Sequence, residues 1–262
     1  MILVFNATNI SNITQYPPYM NSLPNHVAII CDGNRRWAVE HNLPTLMGHK
    51  KGLESVQSAL RHLRKRGVHT ATLWGFSTEN WDRPKKEVDY LMKLFEGAVD
   101  DFLQEAIDEK VKLIHLGRKD RLSPGLVKKI HEAEASTKDF TNHVLNIALD
   151  YGGRDEIVRG VNELIKSGLK EELTEKSFNN HLDTKDQPYP NVDILIRTGG
   201  DFRLSGFMLW QMQYAELFFI PQTLPALTSG HIDEIIHDFM YGRERRFGGN
   251  GELMKNYGRI TA

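Results

Sequence analysis

The 262-residue sequence contains one cysteine, Cys31, so no internal disulfide framework can form. A chain without disulfides suits a reducing compartment, and we therefore expect a cytoplasmic location. The net charge is only −1, which argues against a general nucleic-acid-binding protein, since such proteins carry an excess of basic residues. Because no run of 18 or more apolar residues occurs, we expect no membrane-spanning helix.

The fingerprints of several common enzyme classes are missing as well. The sequence has neither a G-x-x-x-x-G-K-[ST] motif nor a G-x-G-x-x-G motif, which excludes a P-loop site and the usual dinucleotide fingerprint. It also lacks the Cys/His spacing of a zinc site. Cys31 could be a nucleophile, but it ends an apolar run, and we interpret it as a core residue.

The sequence does contain apolar runs that alternate with helical patterns, as is typical of an α/β protein. Residues 53–63 and 88–106 carry apolar side chains at helical spacing. The runs between the helical patterns are mostly continuously apolar, as expected of strands covered on both faces. We predict a single domain with a central, mainly parallel six-stranded sheet flanked by helices. The predicted strands are residues 27–31, 70–76, 111–116, 144–149, 192–196 and 217–220.

The first 24 residues differ from the rest of the chain. They contain Pro17, Pro18 and Pro24 and lack the alternating pattern, so residues 1–24 are predicted to form a flexible N-terminal arm.

Unusual polar residues collect directly after the predicted strands, where open α/β sheets bind their ligands. After the first strand, Gly33 allows a sharp turn, and the next residues can begin a helix whose free N–H groups face the crevice. Together with Arg36, such a helix start is a natural cradle for a diphosphate, and Asp32 could hold Mg²⁺. The alternative is that Asp32 caps the helix and that Arg36 is solvated.

Two further strand ends carry similar groups. Ser77, Asn80 and Arg83 follow the second strand, where a helix cap would need only one of them. Arg197 and Arg203 flank a Gly-Gly turn after the fifth strand, which suits phosphate binding but would also suit a surface salt bridge.

Two late features are ambiguous when they are considered alone. Glu216 leads into the last apolar run, where a carboxylate is either a metal ligand or simply exposed. The basic segment 243–249 ends in two glycines and, by itself, is typical of a solvated tail.

Seven segments, in the same order, resemble the cis-prenyltransferase family, the undecaprenyl diphosphate synthases. The resemblance extends over about residues 24–249, which makes 25–249 the cis-prenyltransferase domain and 250–262 a C-terminal tail. The segments are HVAIICDGNRRWA, GHKKG, FSTENWDRP, NIALDYGGRDEI, DILIRTGGDFRLSGFMLWQ, YAELFF and RERRFGG.

This resemblance implies an enzyme with a hydrophobic product tunnel that condenses isopentenyl diphosphate with an allylic prenyl diphosphate, such as farnesyl diphosphate. It implies Mg²⁺ as the cofactor, held by Asp32 and Glu216, with Asp32 and Asn80 as catalytic residues and Asn80 as proton acceptor. It also implies a homodimer in which RERRFGG reaches the partner's active site. The residues implied in substrate binding are Gly33, Asn34, Arg35, Arg36, Trp37, His49, Ser77, Thr78, Glu79, Trp81, Arg83, Arg197, Arg203, Leu204, Ser205, Gly248 and Gly249.

The apolar face of residues 88–106 is a candidate wall for the growing prenyl chain, although the same side chains would also make an ordinary core. Because the product is a lipid, the resemblance also implies peripheral membrane association.

One departure from the family pattern stands four residues before His49, where the family usually has arginine and this chain has Thr45. The missing arginine predicts a different grip on the allylic substrate. The helix after FSTENWDRP shows no extra residues of the kind that long-chain enzymes carry, so we expect an undecaprenyl-type Z-polyprenyl diphosphate of medium length. A short-chain or branching synthase and a non-catalytic partner subunit of the same fold are the alternatives.

Overall fold

Six parallel strands form the centre of the protein, in a computed structural model that describes residues 22–168 and 172–242. The predicted mainly parallel six-stranded sheet is confirmed, and each predicted strand agrees with an observed one to within two residues. The strand order is β3-β4-β2-β1-β5-β6. The strands are β1 (His26–Ile30), β2 (Thr70–Ser77), β3 (Val111–Leu116), β4 (His143–Tyr151), β5 (Ile194–Arg197) and β6 (Glu216–Phe219).

Helices cover both faces of this sheet, as the unbroken apolar strands predicted. The described residues form α1 (Asn34–Glu40), α2 (Thr45–Lys65), α3 (Lys85–Asp108), α4 (Pro124–Thr137), α5 (Gly153–Ser167), α6 (Glu175–Phe178) and α7 (Ser229–His237). Short 3₁₀ turns occur at Thr78–Asp82, Asn179–His181 and Leu224–Ala226, and a π turn occurs at Asp238–Gly242.

The central strand β1 divides the core into two clusters because its side chains alternate between the two faces. Val27 and Ile29 pack with apolar residues of α2, α3, α4 and α7. Ala28 and Ile30 pack into the opposite cluster, which includes Phe207. All four β1 residues are buried, so the sheet is covered on both sides at its centre.

The strand order brings three chain segments together at one edge of the sheet. β1 lies between β2 and β5, with Ile30 paired to Trp74 on one side and to Arg197 on the other. Because all three strands are parallel, the segments that leave their carboxyl ends start from adjacent positions. These are the turn into α1, residues 77–83, and the loop that follows Arg197.

Two histidines are buried inside this fold. The Nε2 atom of His26 is 2.7 Å from the Thr72 hydroxyl, and Nε2 of His115 lies 3.1 Å from the Leu149 carbonyl oxygen. Burial lowers the pKa of His26 to about 4 and the pKa of His115 to about 3. Both rings are therefore neutral in the folded protein at pH values where the unfolded chain, with a histidine pKa of about 6.5, takes up protons.

We therefore expect the free energy of unfolding to fall as the pH drops below about 6.5, since only the unfolded state gains these protons. Each histidine should account for a loss of about 2 kcal/mol between pH 7 and pH 5. His115→Gln keeps a donor for the Leu149 carbonyl and cannot titrate, so urea unfolding should show a shallower pH dependence for this variant. Equal slopes for variant and wild type would contradict the assignment.

Candidate active site

The site begins at the carboxyl end of β1, where the chain turns sharply into α1. Gly33 has a φ of 95°, a left-handed conformation that glycine adopts easily. A Cβ at this position would lie 2.8 Å from the side chain of Thr223, so the turn also requires the absence of a side chain. The N–H of Gly33 donates to Oδ1 of Asp32 at 2.6 Å and so helps to orient this carboxylate.

Arg197, the last residue of β5, holds the same carboxylate from the neighbouring strand. Its side chain is buried, and Nη2 donates to Oδ2 of Asp32 at 2.9 Å and to Oδ2 of Asp201 at 3.4 Å. Nη1 donates to the Ser205 hydroxyl at 2.9 Å and to the carbonyl of Arg203. The buried Nε finds no acceptor among the described residues, so the guanidinium keeps an unused donor.

Two more arginines complete this group. Arg36 donates to the Gly199 carbonyl, and its Nη2 lies 3.3 Å from Oδ1 of Asp32 and 3.7 Å from Oδ2 of Asp201. Arg203 contacts both oxygens of Asp201, at 3.0 and 3.1 Å. We call Asp32, Arg36, Arg197, Asp201 and Arg203 the arginine–aspartate cluster. Its three cations and two carboxylates leave a net positive charge, which suits an anionic ligand.

The Asp32 carboxyl is ionised in this setting. Burial alone would raise its pKa, but the hydrogen bonds from Arg197 and from the Gly33 N–H, with the charges of Arg197 and Arg36, outweigh burial and hold the pKa of Asp32 below its usual value. Asp32 is therefore a partly exposed carboxylate that stays charged at neutral pH.

A second polar group surrounds Glu87, in the first turn of α3. Its carboxylate is 3.1 Å from Arg83, 3.5 Å from His49 and 3.7 Å from Arg35. Burial lowers the pKa of His49; Glu87 opposes this shift, and the charges of Arg83 and Arg35 add to it. With a neutral imidazole, two arginines face one carboxylate, so this second group is also cationic.

Helices α1 and α2 meet beside these groups with no space for side chains between them. A Cβ at Gly48 would lie 2.0 Å from the carbonyl oxygen of Asn34, and a Cβ at Gly52 would lie 2.2 Å from Oδ1 of Asn34. This close packing brings Nδ2 of Asn34 to 3.5 Å from Nδ1 of His49. Both residues are thereby fixed at the same wall of the site.

Residues 77–83 form the third part of the site. The side chain of Asn80 closes the turn, because its Oδ1 accepts the backbone N–H of Ser77 at 3.1 Å. Ser77, Asn80 and Arg83 line the cavity, whereas the indole N–H of Trp81 donates to the buried Asp150 at 2.9 Å.

A cavity of about 330 Å³ joins these polar groups to an apolar interior. Gly75 lies in its wall, where the pairing of β2 with β4 is irregular, and a Cβ there would be 2.9 Å from Leu149 and 3.5 Å from Phe95. Cys31 also lines the cavity, and burial raises the pKa of its thiol to about 12, so it is protonated at neutral pH. The apolar lining includes Leu53, Val56, Leu73, Phe76, Leu91, Leu94, Phe95, Ala98, Val99, Phe102, Ile147 and Leu149.

Apart from Glu216, the residues that the resemblance implied fall into three sets. The cavity is lined by Asp32, Gly33, Asn34, Arg35, Arg36, His49, Ser77, Asn80, Arg83, Arg197 and Ser205. Within two residues of these, but not in the lining, lie Trp37, Thr78, Glu79, Trp81, Arg203 and Leu204. Gly248 and Gly249 lie outside the described residues, as do 1–21 of the predicted arm and the whole tail 250–262.

Glu216 does not join the arginine–aspartate cluster within one subunit. It pairs with Ile194 at the amino end of β5, whereas Arg197 pairs with Phe219. Three residues at about 3.3 Å each separate Glu216 by about 10 Å from the edge that carries Asp32. Its role as a metal ligand stays a prediction.

Two carboxylates of the site were missed by the sequence analysis, namely Glu87 and Asp201. Glu87 follows Arg83 by four residues at a helix start, a spacing that pairs opposite charges and could have identified it. Asp201 stands between the two arginines of the RTGGDFR segment, so it could have been expected to neutralise them.

The donor set permits one kind of Mg²⁺ site. The described residues hold no group of three or more His, Cys, Asp or Glu side chains arranged for a metal ion. Mg²⁺ usually takes one or two carboxylates and completes its shell with water and substrate phosphates. The ionised Asp32 beside Arg36 and Arg197 fits an ion that is shared with a bound diphosphate.

A helix that crosses a bilayer needs about 20 predominantly apolar residues. None of the helices formed by the described residues is both long and apolar enough to do so.

We expect inorganic diphosphate to raise the melting temperature of the wild-type protein and Arg197→Met to lose most of this response. A ligand at 100 times its Kd stabilises the native state by about 2.7 kcal/mol, and removing a buried, multiply bonded guanidinium should weaken binding strongly. Thermal unfolding with and without diphosphate measures the shift. Arg61→Met is a control for the loss of an arginine charge elsewhere, because Arg61 is exposed and pairs with Glu105 away from the cavity. A full shift in Arg197→Met would exclude the cluster as the anion site.

This chain is similar to a known protein family and to individual relatives. The family model described as "Putative undecaprenyl diphosphate synthase" matches residues 30–248. An isoprenyl transferase of Neisseria meningitidis serogroup B is 42% identical over 233 residues, which cover 89% of this chain and 92% of the relative. An isoprenyl transferase of Bacillus cereus is 43% identical over 232 residues, which cover 87% and 89% of the two chains.

Two solved structures share the fold. Lavandulyl diphosphate synthase from Lavandula x intermedia, in complex with dimethylallyl diphosphate, superposes with a TM-score of 0.83 at 30% identity, covering 88% of this chain and 100% of that one. A probable undecaprenyl diphosphate synthase from Campylobacter jejuni gives a TM-score of 0.73 at 34% identity, covering 87% and 100%. The family match, the curated relatives and the shared fold together confirm the resemblance, and the chain belongs to the cis-prenyltransferases, as a prenyl diphosphate synthase of the undecaprenyl diphosphate synthase type.

Proposed function

We propose that this enzyme condenses isopentenyl diphosphate with an allylic prenyl diphosphate, such as farnesyl diphosphate, and releases a Z-polyprenyl diphosphate of medium length. The observation that carries the proposal is the single continuous cavity that runs from two cationic groups to an apolar interior. An allylic diphosphate matches these two parts of the cavity, because it has an anionic head and a hydrocarbon tail. A water-soluble phosphate ester has no hydrocarbon tail that would fill the apolar end of the cavity.

The cationic groups suit the first chemical step. Breaking the allylic C–O bond leaves a carbocation and a diphosphate whose negative charge grows as the bond breaks. Arg36 and the N–H groups at the start of α1 lie at the turn that Asp32 begins, where they would stabilise that charge. Asp32 would hold Mg²⁺, whose chemistry when bound is to neutralise part of the same charge.

The second substrate would bind near Arg197 and Ser205. The double bond of isopentenyl diphosphate attacks the allylic carbon, the carbocation moves to the new unit, and loss of a proton forms the cis double bond. We assign the acceptance of that proton to Asn80, which lines the cavity; one lone pair of its Oδ1 accepts the Ser77 N–H, so the second lone pair would take the proton. Because an amide oxygen is a weak base, the proton would pass on to a diphosphate oxygen or to water.

The apolar wall between α3 and the sheet would serve as the product tunnel. A short-chain or branching synthase is the alternative, and the observation that favours it is the TM-score of 0.83 with lavandulyl diphosphate synthase. The identities above 40% with isoprenyl transferases favour chain elongation. A non-catalytic partner subunit is disfavoured, since Asp32, Arg197 and Ser205 are all retained.

We also propose that Thr45 changes how the allylic starter is held. Thr45 is the exposed first residue of α2, one helical turn before His49, and it is absent from the cavity lining. An arginine at this position could extend along the helix toward the Glu87 group, whereas threonine offers one short neutral hydroxyl. We infer that the allylic diphosphate relies on Arg35 and Arg36 instead.

We also propose that the enzyme works as a homodimer in the cytoplasm and meets the membrane only peripherally, as it hands over its lipid product. The RERRFGG segment would then complete the partner's site with the N–H groups of Gly248 and Gly249.

Truncation after Tyr241 should sharply raise the KM for isopentenyl diphosphate, because it removes the RERRFGG segment. Light scattering measures the oligomeric state, and an active monomer would contradict the dimer.

Asp32→Ala should abolish nearly all turnover while the protein stays folded. Asp201 remains as a carboxylate partner for the buried Arg197, so the loss of Asp32 should be felt mainly at the reacting diphosphate. The assay combines farnesyl diphosphate, labelled isopentenyl diphosphate and Mg²⁺, followed by chromatography of the extracted products. Asp120→Ala, which removes an exposed carboxylate outside the cavity, should retain the wild-type rate. Turnover within about tenfold of wild type, a loss of about 1.4 kcal/mol, would refute the role of Asp32.

Gly75→Leu should shorten the products. The new side chain would enter the cavity beside Leu149 and Phe95, where the Cβ alone already meets atoms at 2.9 and 3.5 Å. The measurement is the chain-length distribution of the products, with the KM for isopentenyl diphosphate little changed. Gly97→Leu is the control, because a Cβ on that exposed glycine of α3 meets nothing within 4 Å. An unchanged distribution in Gly75→Leu would show that the growing chain does not pass Gly75.

A further inference from the structure

An ion pair outside the cavity, between a buried carboxylate and a partly exposed arginine, lies next to residues 77–83. Asp150 lies near the end of β4, is fully buried and has a φ of 53°. Its Oδ2 accepts from Nε of Arg121 at 2.8 Å, and its Oδ1 accepts from Nη2 of Arg121 and from the Trp81 indole at 2.9 Å. The guanidinium carbon of Arg121 also lies 5.6 Å from the centre of the Trp81 ring. Both carboxylate oxygens of Asp150 and the indole N–H of Trp81 therefore have hydrogen-bond partners.

The backbone around this triad leaves it little freedom. Gly117 has a φ of 112°, and a Cβ there would be 2.5 Å from the carbonyl oxygen of Leu149. The N–H of Arg118 donates to the carbonyl of Asp150 at 3.1 Å. A Cβ at Gly152 would be 2.7 Å from Oγ1 of Thr78. The loop that carries Arg121, the end of β4 and the turn that carries Trp81 are therefore in direct contact.

The other side of Trp81 leads to the reaction cavity. Its ring meets Phe76 edge-on at 5.1 Å, and Phe76 meets Phe95 at 6.3 Å, both of them cavity-lining residues. Asn80, the neighbour of Trp81 in the chain, lines the cavity as well. A shift of the indole would therefore disturb both the aromatic wall and the turn that Asn80 closes through its bond to the Ser77 N–H.

Stability alone does not account for the pair. The buried Asp150 carboxylate loses its hydration, and pairing with the partly exposed Arg121 offsets only part of that cost. A fully bonded charged group does, however, fix the orientation of its partners, because any movement breaks strong hydrogen bonds.

We propose that Arg121 and Asp150 are positioning residues, which hold the Trp81 ring and through it set the orientation of Asn80 toward the substrate. Neither of them lines the cavity. The inference rests on the proposed function. Since a displacement of about 1 Å at a reacting group can cost about 100-fold in rate, the pair should affect the chemical step more than binding.

The test is a single-turnover measurement of the first condensation with saturating farnesyl and isopentenyl diphosphates. Arg121→Met should react about 10- to 100-fold more slowly in this measurement, and steady-state assays at varied substrate concentrations should show less than threefold change in either KM. Arg118→Met is the matched control, because Arg118 has a similar exposure, 34% against 38%, and pairs with Asp120 and Asp155 instead. It should react at the wild-type rate.

Trp81→Phe provides the second variant, since it keeps an aromatic ring, removes the indole N–H and leaves the ion pair intact. If Arg121 acts through Trp81, the double variant should be no slower than the slower single variant. Multiplying effects, or wild-type single-turnover rates in both single variants, would overturn the positioning role. A wild-type enzyme that transfers no prenyl group would instead overturn the proposed function, so the two failures are distinguishable.

Discussion

The contact between Asp32 and Arg197 joins the ends of two adjacent strands, and the rest of the site is arranged around it. Thr198 supports it, because its hydroxyl accepts from the N–H of Asp32 at 2.9 Å and donates to the carbonyl of Asp32 at 2.7 Å. A Cβ at Gly199 would lie 2.7 Å from the side chain of Arg36, so the loop after β5 packs directly against the start of α1. Because the buried Arg197 loses its hydration, the attraction to Asp32 largely offsets that cost and adds little net stability. Its value lies in holding charges in place before a substrate binds.

Helix α3 unites the two chemical requirements of the site. Its first turn supplies Glu87, which balances Arg35, Arg83 and His49, while the following turns supply the apolar wall from Leu91 to Phe102. A hydrocarbon chain that grows from a diphosphate head needs both characters in one continuous space. The helix provides them in the order in which the product would grow.

Sequence reasoning was strongest where one strand end determines position. The apolar runs fixed the sheet, and parallel strands bring Asp32, Ser77 and Arg197 to a common edge whatever the details of the loops. It was weakest where spacing along the chain says nothing about distance in space. Nothing in the sequence around Trp81 indicates that the hydrogen-bond partner of its indole is Asp150, 69 residues later. Glu216 shares the family motif, yet its strand register sets it at the amino end of β6.

The contact of Gly48 and Gly52 with Asn34 restricts which residues these two positions can hold. A carbonyl oxygen lies 2.0 Å from where a Cβ would stand at Gly48, and Oδ1 of Asn34 lies 2.2 Å from a Cβ at Gly52. Even alanine at either position would therefore push α1 and α2 apart. Because Asn34 and His49 meet across the same contact, this separation would displace two residues of the cavity wall together.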